Sequence, residues 1–224
     1  AVLPTVQTIA NLVGAEAIHN TNDEALFQYV ESIKEVILAV DGVSLVPPYQ
    51  NLAVRALSNV DFENMSASDM NSLAFRYSLV HGLSYVVSGD NDSLLYAAHN
   101  AEGELELQSD SNPDGLSESY VNDRAAYMSV LLQSNADDDA VVSYAEDQNG
   151  EQVTFIDASG RVLGTSGNTV YFAGTEGGSY SANYLYSSEE SRLYGGASND
   201  AFSGGSGDDH LEGNAGNDAL TGQR

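Results

Sequence analysis

The pattern of apolar and polar positions changes character once along this chain, near Asn135. Before that point apolar residues return every three or four positions, as on one face of a helix. In "TNDEALFQYVESIKEVILAV", Thr21 and Glu24 form a capping box that leads into Leu26, Val30, Ile33, Ile37 and Leu38. A helix over Thr5 to Ala17 precedes it. Pro47 and Pro48 interrupt the pattern, and "YQNLAVRALSNV" then offers another amphipathic turn or two. "SASDMNSLAFRYSLVHGL" begins from a Ser66 or Ser68 cap. "SESYVNDRAAYMSVLLQSN" begins near Ser117 and is expected to bury Tyr120, Ala125, Met128, Leu131 and Leu132. These spacings predict a compact helical domain over residues 1–135.

From residue 136 the period shortens to two. "DAVVSYAEDQNGEQVTFIDASGRVLG" alternates apolar and polar residues around "DQNG" and "DASG", which predicts consecutive hairpins, and "NTVYFAG" adds a strand. A β-hairpin region over 136–176 follows. From Gly177 to Arg224 the chain is rich in Gly, Ser, Asn and Asp, a composition that alone describes a flexible linker. Its periodicity contradicts that description.

Three nine-residue units align: "GGASNDAFS" (195–203), "GGSGDDHLE" (204–212) and "GNAGNDALT" (213–221). Asp200, Asp209 and Asp218 hold the sixth place, and Phe202, Leu211 and Leu220 the eighth. The glycines permit tight turns in which main-chain carbonyls converge. A carboxylate there adds the charge that a hard, oxygen-seeking cation requires. The eighth-place residue points into a narrow core from a strand too short to bury its own face, so neighbouring units must stack.

These residues resemble the G-G-x-G-x-D-x-U-x nonapeptide of the RTX, or haemolysin-type calcium-binding, repeats, which form a parallel β-roll with Ca2+ between turns. The resemblance implies an α+β fold: N-terminal helical domain, hairpin region, and a C-terminal parallel β-roll over 177–224. Within it, 177–194 ("GGSYSANYL", "YSSEESRLY") are degenerate coils and 195–221 the repeats. Asn214 replaces the second glycine of the third unit, and Ala197-Ser198 departs from the motif in the first. The implied metal positions are Gly195, Ala197, Asn199 and Asp200, then Gly204, Ser206, Asp208 and Asp209, then Gly213, Ala215, Asn217 and Asp218. Successive turns of such a roll fall on opposite edges, so Asp200 and Asp218 share one edge. Asp209 lies on the other, where Glu189 and Glu190 stand in the upstream turn and Ser191 takes the sixth place. "LAFRYSL" (73–79), "HNAEGELEL" (99–107) and "SYVNDRAAYM" (119–128) also resemble a segment that precedes the repeats in large secreted RTX proteins.

Charge narrows the partners. Asp and Glu number 33 against 7 Lys and Arg, a formal net charge of −26, so nucleic acid and anionic membranes are poor partners. There is no cysteine, hence no disulfide and no thiolate metal site. No apolar run is long enough to span a membrane. "DSNPDG" places oxygens at Asp110, Asn112 and Asp114 as at the start of an EF-hand loop, with Glu118 or Asp123 as a substitute ligand. Val121 occupies the place of the closing Glu, and both a second calcium site and a plain surface turn stay open. His19, His81, His99 and His210 lack metal spacing, His210 faces outward, and Arg124 is expected in a structural salt bridge. There is no G-x-S-x-G elbow, H-E-x-x-H or phosphate loop, and the chain is not expected to be an enzyme.

Two readings of function stand at this point. One is a secreted, extracellular or cell-surface calcium-binding structural or adhesive module, folding on Ca2+ after type I secretion. The other is the carrier portion of a larger RTX lipase, protease or toxin. Ala1 suggests a processed or cut start, and Gly222-Gln223-Arg224 opens a further repeat. That open end suggests either truncation or a homo-oligomer in which copies stack head to tail into a filament.

Overall fold

The computed structural model of the chain describes residues 52–89, 92–136, 142–173, 179–181, 190–196 and 198–223. The helices expected over 5–17 and from Thr21 onward lie outside these residues, as do Glu189 and residues 137–140.

Serines start the short helices. Ser58 and Ser66 each close a capping box, with Asp61 for α1 (Asn59–Glu63) and Asp69 for α2 (Ala67–Met70). Ser72 then accepts from the Phe75 amide and opens α3 (Leu73–His81), which Gly82 ends in the left-handed conformation at φ 63°. The single helix expected from Ser66 is therefore two helices, because Ser72 caps a fresh start. One stretch expected to be helical is extended. Leu52–Ala56 forms β1, paired antiparallel with β2 (Tyr85–Gly89) from Leu52↔Gly89 to Ala56↔Tyr85. Its alternation suits both periods, and pairing with the β-branched Val86-Val87 selects the strand. Helix α4 (Asp92–Tyr96) and a 3-10 turn (Ala97–His99) follow.

Ser117 caps the long helix α5 (Glu118–Ala136), its Oγ accepting from the Tyr120 amide at 2.9 Å. Ala125, Met128 and Leu132 are buried, together with Val121 and Tyr127, whereas Tyr120 and Leu131 are half-buried. Among the described residues no helix is long and apolar enough to cross a membrane.

The remaining strands form two sheets. β3 (Val153–Asp157), β4 (Val162–Leu163), β5 (Asn168–Phe172), β7 (Ser191–Tyr194) and β9 (His210–Glu212) lie in the order β4-β3-β5-β7-β9. β6 (Ser179–Ser181), β8 (Ala201–Ser206) and β10 (Ala219–Gln223) make the second sheet, in the order β10-β8-β6. Every pair is parallel except β3–β4. From β5 onward successive strands alternate between the two sheets, so β7, β8, β9 and β10 each pair with the strand two before it. The expected hairpin about "DASG" is present as β3–β4, and Glu146 bridges Gln152 across "DQNG". "NTVYFAG" departs from the hairpin pattern: β5 runs parallel to β3, because the chain reverses again after β4. The parallel ladder thus begins at β3, upstream of Gly177.

Period-two alternation gives the larger sheet two working faces. Phe155, Phe172 and Tyr194 form a ladder on the face toward α5, with centroids 6.4 Å and 5.5 Å apart and both pairs stacked. Tyr120 and Tyr127 of α5 meet this ladder edge-on. On the opposite face, Tyr171 and Leu193 close a small core with Phe202 of β8, and Ile156 and Leu211 pack against it. The order of layers is helix, large sheet, small sheet.

A buried polar seam ties α5 to the ladder. Arg192 Nε stands 2.8 Å from Asp123 Oδ2, a close charge contact rather than an aligned hydrogen bond. Arg192 also donates through Nη2 to Asp147 Oδ2 at 2.9 Å, and the Tyr194 hydroxyl donates to Asp123 Oδ2 at 2.6 Å. Ser117 Oγ reaches Glu212 of β9 at 2.7 Å. Burial pushes the Asp123 carboxyl up, partly offset by Arg192 and the Tyr194 hydrogen bond. Removing a charge from such a pair leaves its partners buried and uncompensated. Arg192→Ala is therefore expected to lower the unfolding free energy by about 3–5 kcal/mol, measured by urea denaturation in calcium. A loss well below 1 kcal/mol argues against a structural role for the seam.

Candidate metal centre in the repeat turns

The turns of the stack lie on two edges. The turn after β7 (195–200) and the turn after β9 (213–218) share one, and the segment 204–209, the end of β8 and the turn that follows it, lies on the other. On the first edge the Asp200 amide donates to Asp218 Oδ1 at 2.8 Å, across a separation of 18 residues. The Asn217 amide donates to Asn199 Oδ1 at 2.8 Å, and Asn214 Nδ2 to the Gly195 carbonyl at 2.8 Å. Asp200 is 2% exposed, and its Oδ2 accepts from the Gly196 amide at 2.8 Å. Gly195, Asn199, Asp200, Gly213, Asn217 and Asp218 are thus brought together. Ala215 is an exposed member of the same turn, and Ala197 lies outside the described residues.

On the second edge the same 18-residue step joins Ser191 to Asp209, the amide donating to Oδ1 at 3.0 Å. Ser191 Oγ donates to the Gly204 carbonyl at 3.3 Å. Asp209 Oδ2 is buried and has no hydrogen-bond partner among the described residues. Ser206 and Asp208 are exposed in this turn. The repeat register places Ser191 at the sixth position, 18 residues before Asp209, and the structure shows it there as the amide donor to that carboxylate.

Close approach explains two of the glycines. A Cβ on Gly204 would stand 2.4 Å from Asp209 Oδ2, and one on Gly213 would stand 2.3 Å from Asp218 Oδ2. Neither turn has room for a side chain beside its carboxylate. Asn214, which breaks the glycine pattern, adopts φ 57°, a conformation asparagine tolerates better than most residues.

The donor set consists of carboxylate, amide and main-chain oxygens, with a buried carboxylate oxygen left without a partner on one edge. That is the ligand chemistry of a hard divalent cation of calcium size. Asp208, Asp209 and Asp218 have no Lys or Arg ion partner among the described residues. The charge excess is local as well as global.

The family model described as RTX calcium-binding nonapeptide repeat (4 copies) matches residues 192–224. These are RTX calcium-binding repeats. No curated protein and no solved structure matched the chain.

The RTX repeats account for one candidate metal region; the other does not assemble. Asp110, Asp114 and Glu118 are exposed, and Asn112 Nδ2 turns inward to donate to the Gly103 carbonyl at 2.9 Å. Ser109 and Asn112 exchange main-chain hydrogen bonds, which makes the stretch a closed turn. No three His, Asp or Glu side chains group there or elsewhere among the described residues. Arg124 also departs from expectation: it forms no ion pair among the described residues and lies over the Tyr127 and Phe172 rings. His210 is half-exposed but not idle, since it contacts Glu212, which raises its pKa, and it packs near Tyr194.

Space in the turns gives a direct test. Gly213→Ala displaces the Asp218 carboxylate and is expected to weaken calcium binding roughly 10- to 100-fold in calorimetric titration. Gly222→Ala, where a Cβ meets nothing within 4 Å, leaves affinity unchanged. Equal affinities for the two variants would falsify the assignment of Asp218 as a ligand.

Proposed function

We propose that this chain is a calcium-stabilised structural module of a secreted protein, with residues 153–223 forming a β-roll seated on helix α5. The pairing of turns 18 residues apart supports this reading most strongly: Asp218 holds the turn of Asp200, and Asp209 the turn of Ser191. Bound Ca2+ supplies the positive charge and about six to eight oxygen contacts that these turns need. Asp200 and Asp218 would hold one ion with carbonyls of the Gly195 and Gly213 turns, and Asp209 a second with the Gly204 turn. Without it, the Asp200 and Asp218 carboxylates on the first edge repel, Asp209 on the second is left without a counter-charge among the described residues, and the strands they join are too short to stay folded alone. Folding is therefore linked to calcium concentration, low inside a cell and high outside. The reading assigns no catalytic step to the chain.

A second reading rests on β10. Leu220 occupies the eighth place, where Phe202 is 2% exposed, yet Leu220 is 43% exposed on the outermost strand of its sheet. A further turn would cover it, supplied by additional chain or by a second copy stacked head to tail. Light scattering of the calcium-loaded protein separates the two: growth with concentration, reversed by chelator, supports stacking of copies, and a constant monomer mass excludes it.

Calcium should order the repeats where magnesium does not, because Mg2+ requires tight octahedral geometry and keeps its waters. Circular dichroism is expected to show strand signal rising in millimolar Ca2+ and unchanged in equal Mg2+. The same signal in chelator as in calcium would remove the basis for the reading.

A further inference from the structure

Helices α3 and α5, the loop after the 3-10 turn, the β3–β4 turn and the Asp200/Asp218 edge enclose a cavity of about 410 Å3. That volume suits a small-molecule ligand. Arg124 is set into its wall. Its Cζ lies 4.7 Å from the Tyr127 ring centroid and 5.0 Å from that of Phe172, and its Nε donates to the Leu79 carbonyl at 3.0 Å. The two terminal nitrogens make no hydrogen bond to the described residues, and none of the described carboxylates stands within ion-pair distance. For a chain with 33 acidic and 7 basic residues, an arginine in a cavity without an acid partner needs explaining.

The groups beside it sharpen the point. His81 and His99 line the same cavity, with ring centroids 6.3 Å apart, and both pack on Tyr77. The His81 pKa is lowered by burial first, then by the nearby His99 and Arg124. Arg124 is thus the permanent cation of this space, and the two imidazole rings line it beside the guanidinium. Glu102, Glu104 and Asp114 also line it and are exposed at the rim, as are His81 and His99, whereas Arg124 lies deeper and half-buried. Asp157 is already engaged, accepting from the Tyr127 hydroxyl at 2.5 Å and from Ser159 Oγ at 2.5 Å.

We propose that this cavity binds a small organic monocarboxylate with a flat apolar body, its carboxylate paired with the terminal nitrogens of Arg124 and its body against Phe172 and Tyr120. A planar guanidinium flanked by the Tyr127 and Phe172 rings presents the fork that pairs with a carboxylate through two parallel hydrogen bonds. Phe172 and Tyr120 supply apolar surface for the ligand body. The acidic rim disfavours a polyanion, and the Arg124 guanidinium at the inner wall disfavours a cation there. One wall of the cavity includes Gly195, Gly196 and Asn214 of the calcium-binding turns, so the site belongs to the calcium-loaded state.

The test uses the full chain in calcium and follows the imidazole resonances of His81, His99 and His210 by NMR. Phenylacetate is the probe, with phenethylammonium (same body, opposite charge) and citrate (a polyanion) as comparisons. The expected result is a saturable shift of His81 and His99 with His210 unmoved, and at least tenfold weaker response to the other two compounds. Arg124→Gln should lose the phenylacetate response at least tenfold, and Arg124→Lys, which keeps the charge without the planar fork, should lose part of it. No saturable shift up to about 10 mM phenylacetate overturns the proposal. So does an equal response to phenethylammonium, or an unchanged response in Arg124→Lys and Arg124→Gln alike. Circular dichroism of the same samples reports the calcium-induced fold separately, so loss of this site and loss of the calcium reading are told apart.

Discussion

A carboxylate reaching back 18 residues is the contact on which the architecture rests. Asp218 accepts the amide of Asp200, and Asp209 accepts that of Ser191, so each acidic turn grips the turn two repeats upstream on its own edge. Two consequences follow from that one step. Strands two apart become parallel neighbours, and successive turns alternate between edges. Each acid also enters the backbone network of its neighbour, so its position is fixed before any cation is considered. The cost is that the buried Asp200 is held beside Asp218 and that Asp209 is left without a partner for one oxygen among the described residues, charges that a bound cation would offset.

The same register carries the stack into the rest of the protein. Because β3, β5, β7 and β9 are held side by side, Phe155, Phe172 and Tyr194 line up as one aromatic row toward α5. Arg192 and Tyr194 come from a strand of the repeat region and meet the buried Asp123 of α5. Glu212, at the end of the next strand, accepts from Ser117 at the start of that helix. A shift of register by one residue would turn this whole face toward the small sheet and bury Leu193 against the helix in place of Tyr194. Helix and repeats therefore form one packed structure.

The repeats were the most legible part of the chain, because their period, their acids and their apolar places all follow from local rules. The sixth-place acids and the eighth-place Phe202 and Leu211 could be located without coordinates. The seam could not: Asp123, Asp147 and Arg192 are far apart in sequence, and nothing local marks an aspartate as buried. The strand at Leu52–Ala56 was misread for a similar reason, since its fate depends on a partner some thirty residues away. Arg124 was expected to find an acid in so acidic a chain, but the fold places aromatic rings beneath it instead. At Asp110–Asp114 the residue types suit calcium, while main-chain hydrogen bonds close the turn first. Residue type proposes ligands there, and among the described residues their carboxylates stay exposed and ungrouped.

The central claim is that calcium-dependent turns and helix α5 form one cooperative unit through the 18-residue contacts and the Asp123–Arg192 seam. Residue-resolved amide hydrogen exchange in calcium and in chelator tests it most directly. The account predicts that the amides of Ser191 and Asp200 are protected in calcium and lose protection in chelator, and that amides in the middle of α5 lose it with them. Protection of Ser191 and Asp200 that persists in chelator, or an α5 unaffected when theirs is lost, would contradict it.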